Sequence, residues 1–150
     1  MKKIILLLLL SSLTVGCGFT PVYVLNDSVN FRIKKVTFEG DEELNNFINI
    51  GLKKYALNNN TIGYDVSTDT VYEKKILSKD TKGNAQSFKL KVVVNFIVTA
   101  NNQSTKYEYT EQSELNNSDD TFELNSYENS IKQNFASSII EKFILDLSNR

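Results

Sequence analysis

The sequence predicts a two-layer α+β fold, in which two helices cover one face of a four-stranded, mostly antiparallel sheet in the order β-α-β-β-β-α. Residues 85–100 alternate between an apolar side and a mixed side, which is typical of a strand buried on one face. Apolar residues recur three and four positions apart in residues 44–55 and 131–147, which indicates two amphipathic helices. A chain of 150 residues can build one core of this kind but not two.

The first strand and the first helix are predicted in residues 30–55. Asn30 to Phe38 is rich in strand-forming residues and is expected at a sheet edge, with a bulge where its alternation shifts at Lys34 and Lys35. A helix is expected after Gly40, because Asp41 is a capping residue and two glutamates follow it. These three acidic residues could also be read as a cation site, but such a site would need further oxygen ligands. The apolar face of this helix consists of Leu44, Phe47, Ile48, Gly51, Leu52 and Tyr55.

Three antiparallel strands are predicted to follow as a meander. The second strand has its main part at Val71 to Leu77, and residues 79–84 read as a hairpin turn. Ala85 to Ala100 is the central strand. Residues 101–103 turn the chain into the last strand, Thr105 to Leu115.

A long helix is predicted at the C-terminal end of the chain. Asn125 followed by Glu128 resembles a capping box, so the helix is expected to begin near Ser126. Its apolar stripe is wider than packing on one sheet requires, so either the helix is deeply buried or a partner covers one flank. The stripe consists of Ile131, Phe135, Ala136, Ile139, Ile140, Phe143 and Leu147.

The N-terminal residues have the layout of a bacterial lipoprotein export signal: two lysines, an aliphatic run and small residues that lead to Cys17. Residues 1–16 are the predicted signal peptide, residues 17–29 a lipidated tether and residues 30–150 a single domain. A bilayer-crossing helix needs about 20 apolar residues, whereas Ile4 to Val15 supplies twelve positions. Gly18 replaces the aspartate that signals inner-membrane retention, so the expected location is the periplasmic side of the outer membrane.

Composition argues against several classes of function. The formal net charge is −1, and removal of Lys2 and Lys3 makes it more negative, so nucleic-acid binding is not expected. The chain has no histidine, and its only cysteine is Cys17, which excludes nucleophile–histidine catalysis and histidine-ligated metals. Glu108, Glu111 and Glu114 recur on one strand, where an exposed strand face explains them better than a catalytic pair. We therefore expect no enzyme, no metal site and no cofactor beyond the lipid on Cys17.

The mature start Cys17-Gly18-Phe19-Thr20-Pro21-Val22-Tyr23, the order of elements and the C-terminal helix resemble the lipopolysaccharide-assembly lipoprotein family LptE. The resemblance implies a non-enzymatic outer-membrane lipoprotein. Its partners would be lipopolysaccharide and a large LptD-type barrel. The lipoprotein would plug this barrel in a one-to-one complex and help it to assemble. It would also help to deliver lipopolysaccharide to the cell surface.

Two other classes of function stay open at the level of the sequence. The first is a lipid-binding auxiliary lipoprotein of an ABC-type transporter or a periplasmic ligand carrier, which should enclose an apolar cavity. The second is a carboxylate-based hydrolase, which would lose turnover when single glutamates are changed.

Four lysines are the predicted contacts for lipopolysaccharide phosphates. Lys79 and Lys82 flank the tip of the first hairpin of the meander, while Lys89 and Lys91 share the mixed face of the central strand. Together they would form a basic strip that can reach phosphate. The alternative is that they are ordinary surface lysines that keep the hairpin soluble.

Overall fold

The computed structural model describes residues 29–56 and 62–149. Its elements are β1 (Phe31–Gly40), α1 (Glu42–Ala56), β2 (Ile62–Lys79), β3 (Ala85–Ala100), β4 (Gln103–Asn116) and α2 (Thr121–Ser148). The sheet has the strand order β1-β2-β3-β4, with β1 parallel to β2 and the other neighbours antiparallel. The predicted order of elements and the α+β class are confirmed. The predicted signal peptide, Cys17 and the tether up to residue 28 lie outside the described residues.

The connection from β1 to α1 depends on local backbone geometry. Gly40 has a φ of +93°, and a Cβ there would lie 1.9 Å from the carbonyl oxygen of Thr70, so only glycine fits. Asp41 caps α1, because its carboxylate accepts a hydrogen bond from the Leu44 N–H at 2.8 Å. The predicted bulge in β1 is confirmed by a register shift between Ile33 and Lys35.

The second strand is longer than the sequence pattern predicts. The main strand was expected at Val71 to Leu77, but β2 begins at Ile62, and its first half pairs in parallel with β1. The helix-facing positions of this half include Thr68 and Thr70, which are 1% and 2% exposed. Because these buried side chains are polar, the hydropathy of the sequence does not reveal the alternation of buried and exposed residues in this part of β2.

Both turns of the meander form where they are predicted. In the first, the Asp80 N–H donates to the Asn84 carbonyl at 2.9 Å. In the second, Asn101 and Asn102 have φ angles of 49° and 62°, left-handed values that asparagine tolerates and that suit a two-residue hairpin loop.

The core lies between the helices and the inner face of the sheet. The ring of Phe143 stacks on that of Phe96, with centroids 4.1 Å apart and the planes 16° from parallel. The two helices also pack on each other, because a Cβ at Gly51 would lie 2.4 Å from Cδ1 of Ile140. This second contact explains the wide apolar stripe of α2: the stripe covers both the sheet and α1.

The long helix begins earlier than predicted. Asn125 was expected to cap it, but the N-cap is Asp120, whose carboxylate accepts from the N–H groups of Phe122 and Glu123 at 2.9 and 3.1 Å. The first turns of α2 are mostly exposed, so they lack the apolar periodicity that marks the rest of the helix. Within the described part of the chain, no helix is both long enough and apolar enough to span a membrane.

Candidate functional site

The hairpin of β2 and β3 extends beyond the first strand. The last β2 residue that pairs with β1 is Thr70, so residues 71–79 have a strand neighbour on one side only, β3. The turn at the hairpin tip is held by Asp80, whose carboxylate accepts from the N–H groups of Lys82 and Asn84, both at 2.8 Å. These hydrogen bonds, foremost that from Asn84, hold the pKa of Asp80 below its usual value. The carboxylate at the tip therefore accepts hydrogen bonds from the backbone of its own turn.

The structure places the four predicted lysines on this hairpin. Lys79 ends β2 and Lys82 lies in the turn; both are exposed, and neither forms an ion pair with a carboxylate in the described part of the chain. Lys89 and Lys91 lie on the outer face of β3, which the helices do not cover. Lys79 and Lys82 are thus grouped at the tip, while the other two lysines share a sheet face.

The strand register adds a fifth lysine, which is not among the four predicted contacts. Lys75 lies directly opposite Lys89 on the outer face and forms an ion pair with Glu73 at 2.7 Å. The hydrogen bond and charge of Lys75, with a smaller contribution from Lys91, hold the pKa of Glu73 low. Counting pairs back from the hairpin turn would have found Lys75. We call the five residues Lys75, Lys79, Lys82, Lys89 and Lys91 the lysine hairpin.

The lysine hairpin is not uniformly basic. On the outer face, Lys91 pairs with Glu73 of β2, and Lys89 pairs with Glu114 of β4. Carboxylates therefore offset part of the positive charge along the strands. The two tip lysines have no such neighbour across a strand, because Lys79 pairs with Ala85 and Lys82 lies in the turn.

On the inner face of the same hairpin, polar side chains bind α2 to the sheet. Glu128 accepts hydrogen bonds from the Tyr72 hydroxyl at 2.5 Å and from Lys74 at 2.6 Å. Burial and then the hydrogen bond to Glu128 hold the pKa of Tyr72 well above its usual value. Lys132 lies over the Tyr72 ring, 4.2 Å from its centroid, and forms an ion pair with Glu43 of α1 at 2.5 Å. Lys74 is thus ion-paired within the fold, unlike the lysines at the tip.

The glutamates of β4 do not form one group. All three were expected on an exposed strand face, but Glu111 lies on the helix-facing side, opposite Val92 of the core. There it accepts hydrogen bonds from Lys142 at 2.6 Å and Ser138 at 2.9 Å, and chiefly the former holds its pKa low. Glu108 and Glu114 lie on the outer face, because successive side chains alternate along a strand and an odd spacing reverses the face.

A surface depression lies beside the start of α1. It is open to solvent, and the residues that line it are mostly acids and amides: Phe38, Glu42, Glu43, Asn45, Asn46 and Asn49. A carrier of apolar ligands would need an enclosed, apolar lining instead. Within the described residues, no group of three acidic, histidine or cysteine side chains is placed to hold a metal ion.

These features define a class of small α+β domains in which helices cover one face of a mixed sheet and the other face is left to solvent. More specifically, the chain belongs to the LptE lipopolysaccharide-assembly family, whose model matches residues 22–147. Among curated proteins, none has a sequence that matches this chain.

Three solved structures show the same fold. The rare lipoprotein B of Shewanella oneidensis is 15% identical, with a TM-score of 0.54 over 77% of this chain and 97% of that one. An uncharacterised lipoprotein B of Nitrosomonas europaea is 13% identical, with a TM-score of 0.56 over 81% and 87%. A putative lipoprotein of Caulobacter crescentus is 15% identical, with a TM-score of 0.52 over 78% and 88%. At these identities the similarity shows the fold alone.

Family membership assigns the chain a non-enzymatic role in lipopolysaccharide transport and assembly. This confirms the resemblance and the prediction that the protein is not an enzyme. A signal peptide and a lipid anchor are expected for the family.

Proposed function

We propose that this protein is an outer-membrane lipoprotein that plugs an LptD-type barrel in a one-to-one complex, assists the assembly of that barrel and helps to deliver lipopolysaccharide to the cell surface. The observation that carries the proposal is the family match across residues 22–147. Cys17, outside the described residues, would carry the lipid that holds the domain at the periplasmic side of the membrane. More than one acyl chain on this residue would give a stable anchor.

The lysine hairpin is the proposed contact for lipopolysaccharide phosphates. Lysine binds phosphate as a point charge and needs an ammonium that is not already paired. Lys79 and Lys82 meet this requirement within the described residues, whereas Lys74 is engaged by Glu128. The Asp80 carboxylate accepts hydrogen bonds from the backbone of the turn, and within the described residues it forms no ion pair with either tip lysine.

Copurification tests the proposed partner. The tagged full chain is extracted from outer membranes in mild detergent, and bound proteins and lipids are identified by mass spectrometry. We expect a barrel of the LptD type in equimolar amount. Recovery of lipid without any barrel would overturn the proposal and favour a carrier.

Charge reversal at the hairpin tip tests the proposed contact. In Lys79→Glu/Lys82→Glu, we expect weaker binding to purified lipopolysaccharide at low salt, with a difference from the parent that shrinks as salt screens the charges. The matched control is Lys53→Glu/Lys54→Glu, two exposed lysines in the last turn of α1. This turn lies at the other end of the sheet, where Tyr55 stacks on Phe31.

Both double variants should remain folded and keep barrel copurification, although the control loses the contact of Lys54 with the Tyr55 ring and two favourable charges at the C-terminal end of α1. If the tip variant binds lipopolysaccharide as well as the parent at low salt, the hairpin tip is not the contact. If the control variant loses as much binding as the tip variant, the effect is one of net charge and the site is refuted as well.

A further inference from the structure

Three large apolar side chains are exposed at the end of the molecule that carries the hairpin tip. They are Ile76, which is 52% exposed, Leu77, which is 50% exposed, and Phe122, which is 81% exposed. Phe122 is the most exposed large apolar residue in the described part of the chain. Apolar side chains that are exposed together are typical of a surface that contacts a partner or a lipid. We call these three residues the apolar corner.

The floor of the apolar corner is the helix-facing side of the hairpin, beyond the reach of α1. Ile76 pairs with Phe88 of β3, whose side chain is half-buried against the core. α1 begins directly after β1, whose last residue pairs with Thr70. It then runs back along β1, so that Tyr55 near its end stacks on the start of that strand. The hairpin beyond Thr70 is therefore not covered by α1.

The first turns of α2 form a wall beside this floor. Lys142 of the helix contacts Glu111 in the middle of β4. Glu128, nearer the N-terminus, contacts Lys74, which lies closer to the hairpin tip. α2 begins seven residues before Glu128, which is about 10 Å further in the same direction. The connection that leads into the helix is also bound to the hairpin, because the side chain of Asn117 donates to a carbonyl of β3 at 2.9 Å.

The position of Phe122 on the helix directs it towards the uncovered floor. Phe122 lies eighteen residues before Ile140, which is five turns of an α-helix, so both residues are on the same side of α2. At Ile140 this side packs on α1, because a Cβ at Gly51 would lie 2.4 Å from Cδ1 of Ile140. At Phe122 the same side of the helix lies beyond the start of α1 and faces the end of β2 that carries Ile76.

We propose that the apolar corner contacts acyl chains of the lipopolysaccharide whose phosphates would be held by Lys79 and Lys82. The inference rests on the proposed function and adds an apolar part to the same ligand site. Ile76 is three residues before Lys79, about 10 Å along the strand. Lipopolysaccharide carries phosphates and acyl chains on the same sugar core, so its charged and apolar parts would meet the protein close together.

The charge of this end of the molecule favours an anionic amphiphile as the occupant. Lys79 and Lys82 form no ion pair within the described residues. An apolar protein surface could cover the corner, but it would leave the neighbouring ammonium groups without a counter-charge. An acylated and phosphorylated sugar provides apolar chains for the corner and anions for the lysines.

Removal of the acyl chains from the ligand tests the inference in solution. The full chain, at one concentration of mild detergent, is titrated with purified lipopolysaccharide and with the same lipopolysaccharide after alkaline deacylation, which leaves its sugars and phosphates. We expect the corner variant, Ile76→Thr/Phe122→Ala, to bind the intact form about tenfold more weakly than the parent, because apolar contact area is lost. It should bind the deacylated form like the parent, which a folding defect would not allow.

The matched control is Ile62→Thr/Tyr127→Ala, which removes similar side chains from the same strand and the same helix. Ile62 is 50% exposed at the opposite end of β2, and Tyr127 is 59% exposed. Tyr127 lies eleven residues, about three turns, before Ser138, which contacts β4, so it is on the other flank of α2. An equal loss in this control, or an equal loss of both ligand forms in the corner variant, would overturn the inference.

Photo-cross-linking tests the same contact in the membrane. Benzoylphenylalanine at residue 122 replaces one aromatic side chain by a photo-reactive one in the full chain. We expect illumination of cells to give a covalent adduct with lipopolysaccharide, detected by a lipopolysaccharide antibody on a denaturing gel. The same group at residue 127 should give no such adduct. An adduct with a protein alone at residue 122 would assign the corner to a protein partner and refute the inference.

The phosphate contact and the acyl contact fail separately. If Lys79→Glu/Lys82→Glu binds both ligand forms like the parent, the phosphate contact is refuted, and the corner variant alone decides the acyl contact. If the lysine reversal weakens both forms but the corner variant weakens neither, the phosphate contact stands and the acyl contact is refuted. Equal competition by phosphatidylglycerol in the same detergent would assign the corner to phospholipids and also overturn the inference.

Discussion

Phe143 is the residue at which α2 and the sheet are most closely joined. Its ring stacks on Phe96 and meets the edge of Tyr107, with a centroid distance of 5.7 Å to the latter. No part of the side chain reaches solvent. Removing the ring would therefore lose both its burial and its aromatic contacts and would leave a cavity that the two layers cannot easily close.

We expect Phe143→Ala to lower the free energy of unfolding by about 3–5 kcal/mol. Chemical denaturation of the parent and the variant measures the difference. Phe122→Ala is the matched control, because Phe122 is 81% exposed and its removal should change stability by no more than about 0.5 kcal/mol. A loss below about 1 kcal/mol in Phe143→Ala would show that the ring does not form the observed core contacts.

At the scale of elements, the start of α2 is a long exposed extension tied down at specific points. Asp120 caps its first turn, and Glu128, two turns later, binds Tyr72 and Lys74 on β2. Between these points Leu124 is partly buried against the core. The extension therefore depends on polar contacts more than the rest of the helix, which packs through apolar residues.

The N-cap provides a direct test of where the helix begins. Asp120→Ala removes two hydrogen bonds to backbone N–H groups and should lower the free energy of unfolding by about 1 kcal/mol. Asn125→Ala should be neutral or slightly stabilising, because Asn125 is an exposed residue inside the helix and alanine has the higher helix propensity. Equilibrium urea unfolding measures both. A larger loss of unfolding free energy in Asn125→Ala than in Asp120→Ala would show that the helix begins at Asn125 instead.

Glu128 makes the docking of α2 dependent on pH. Burial raises the pKa of Glu128, but the hydrogen bonds from Lys74 and Tyr72 outweigh burial, so the pKa lies below the ordinary 4.5. A carboxyl group whose pKa is lower in the folded than in the unfolded state stabilises the fold fully above the unfolded value. This contribution is lost as the pH falls through the folded value.

We therefore expect unfolding free energy to fall as the pH is lowered from about 5 to about 3, and Glu128→Gln to show a shallower fall. Chemical denaturation at a series of pH values gives the two curves. Glu141→Gln is the control, since Glu141 is exposed on α2 and forms no ion pair in the described part of the chain. Parallel curves for the parent and Glu128→Gln would refute the role of Glu128.

At the scale of the whole molecule, the described core and the predicted lipid anchor are separate parts of the chain. Within the described residues, the core runs from Val29 to Leu147, and Cys17 lies outside those residues. The domain would then owe its stability to the two-layer core and its location to the lipid on Cys17.

Cys17→Ala separates these two contributions. We expect the variant to fractionate with soluble periplasmic protein and, once purified, to melt at the same temperature as the parent domain, because the described core is built from residues between Val29 and Leu147. Cell fractionation and circular dichroism measure the two properties. Firm membrane association of the variant in cells that lack the barrel partner would contradict lipidation at Cys17.

The amino-acid sequence by itself determined the order of the elements, the central strand, the apolar face of α1 and both hairpin turns. These features follow from local rules: the two-residue repeat of Ala85 to Ala100, the helical repeat of residues 44–55, and the turn-forming character of Asp80 and Asn101. It also placed all four predicted lysines on one hairpin, because an antiparallel turn returns the chain beside itself.

Only the tertiary structure decided what depends on distant parts of the chain. Thr68 and Thr70 are buried because β1 and α1 cover them, so the start of β2 has no hydropathy signal. Glu111 meets Ser138 and Lys142 only because α2 lies over that face of β4. The physical reason is the same for these residues. The alternation of side chains within one element can be predicted from the sequence, whereas burial and the neighbours on other elements are set by long-range pairing.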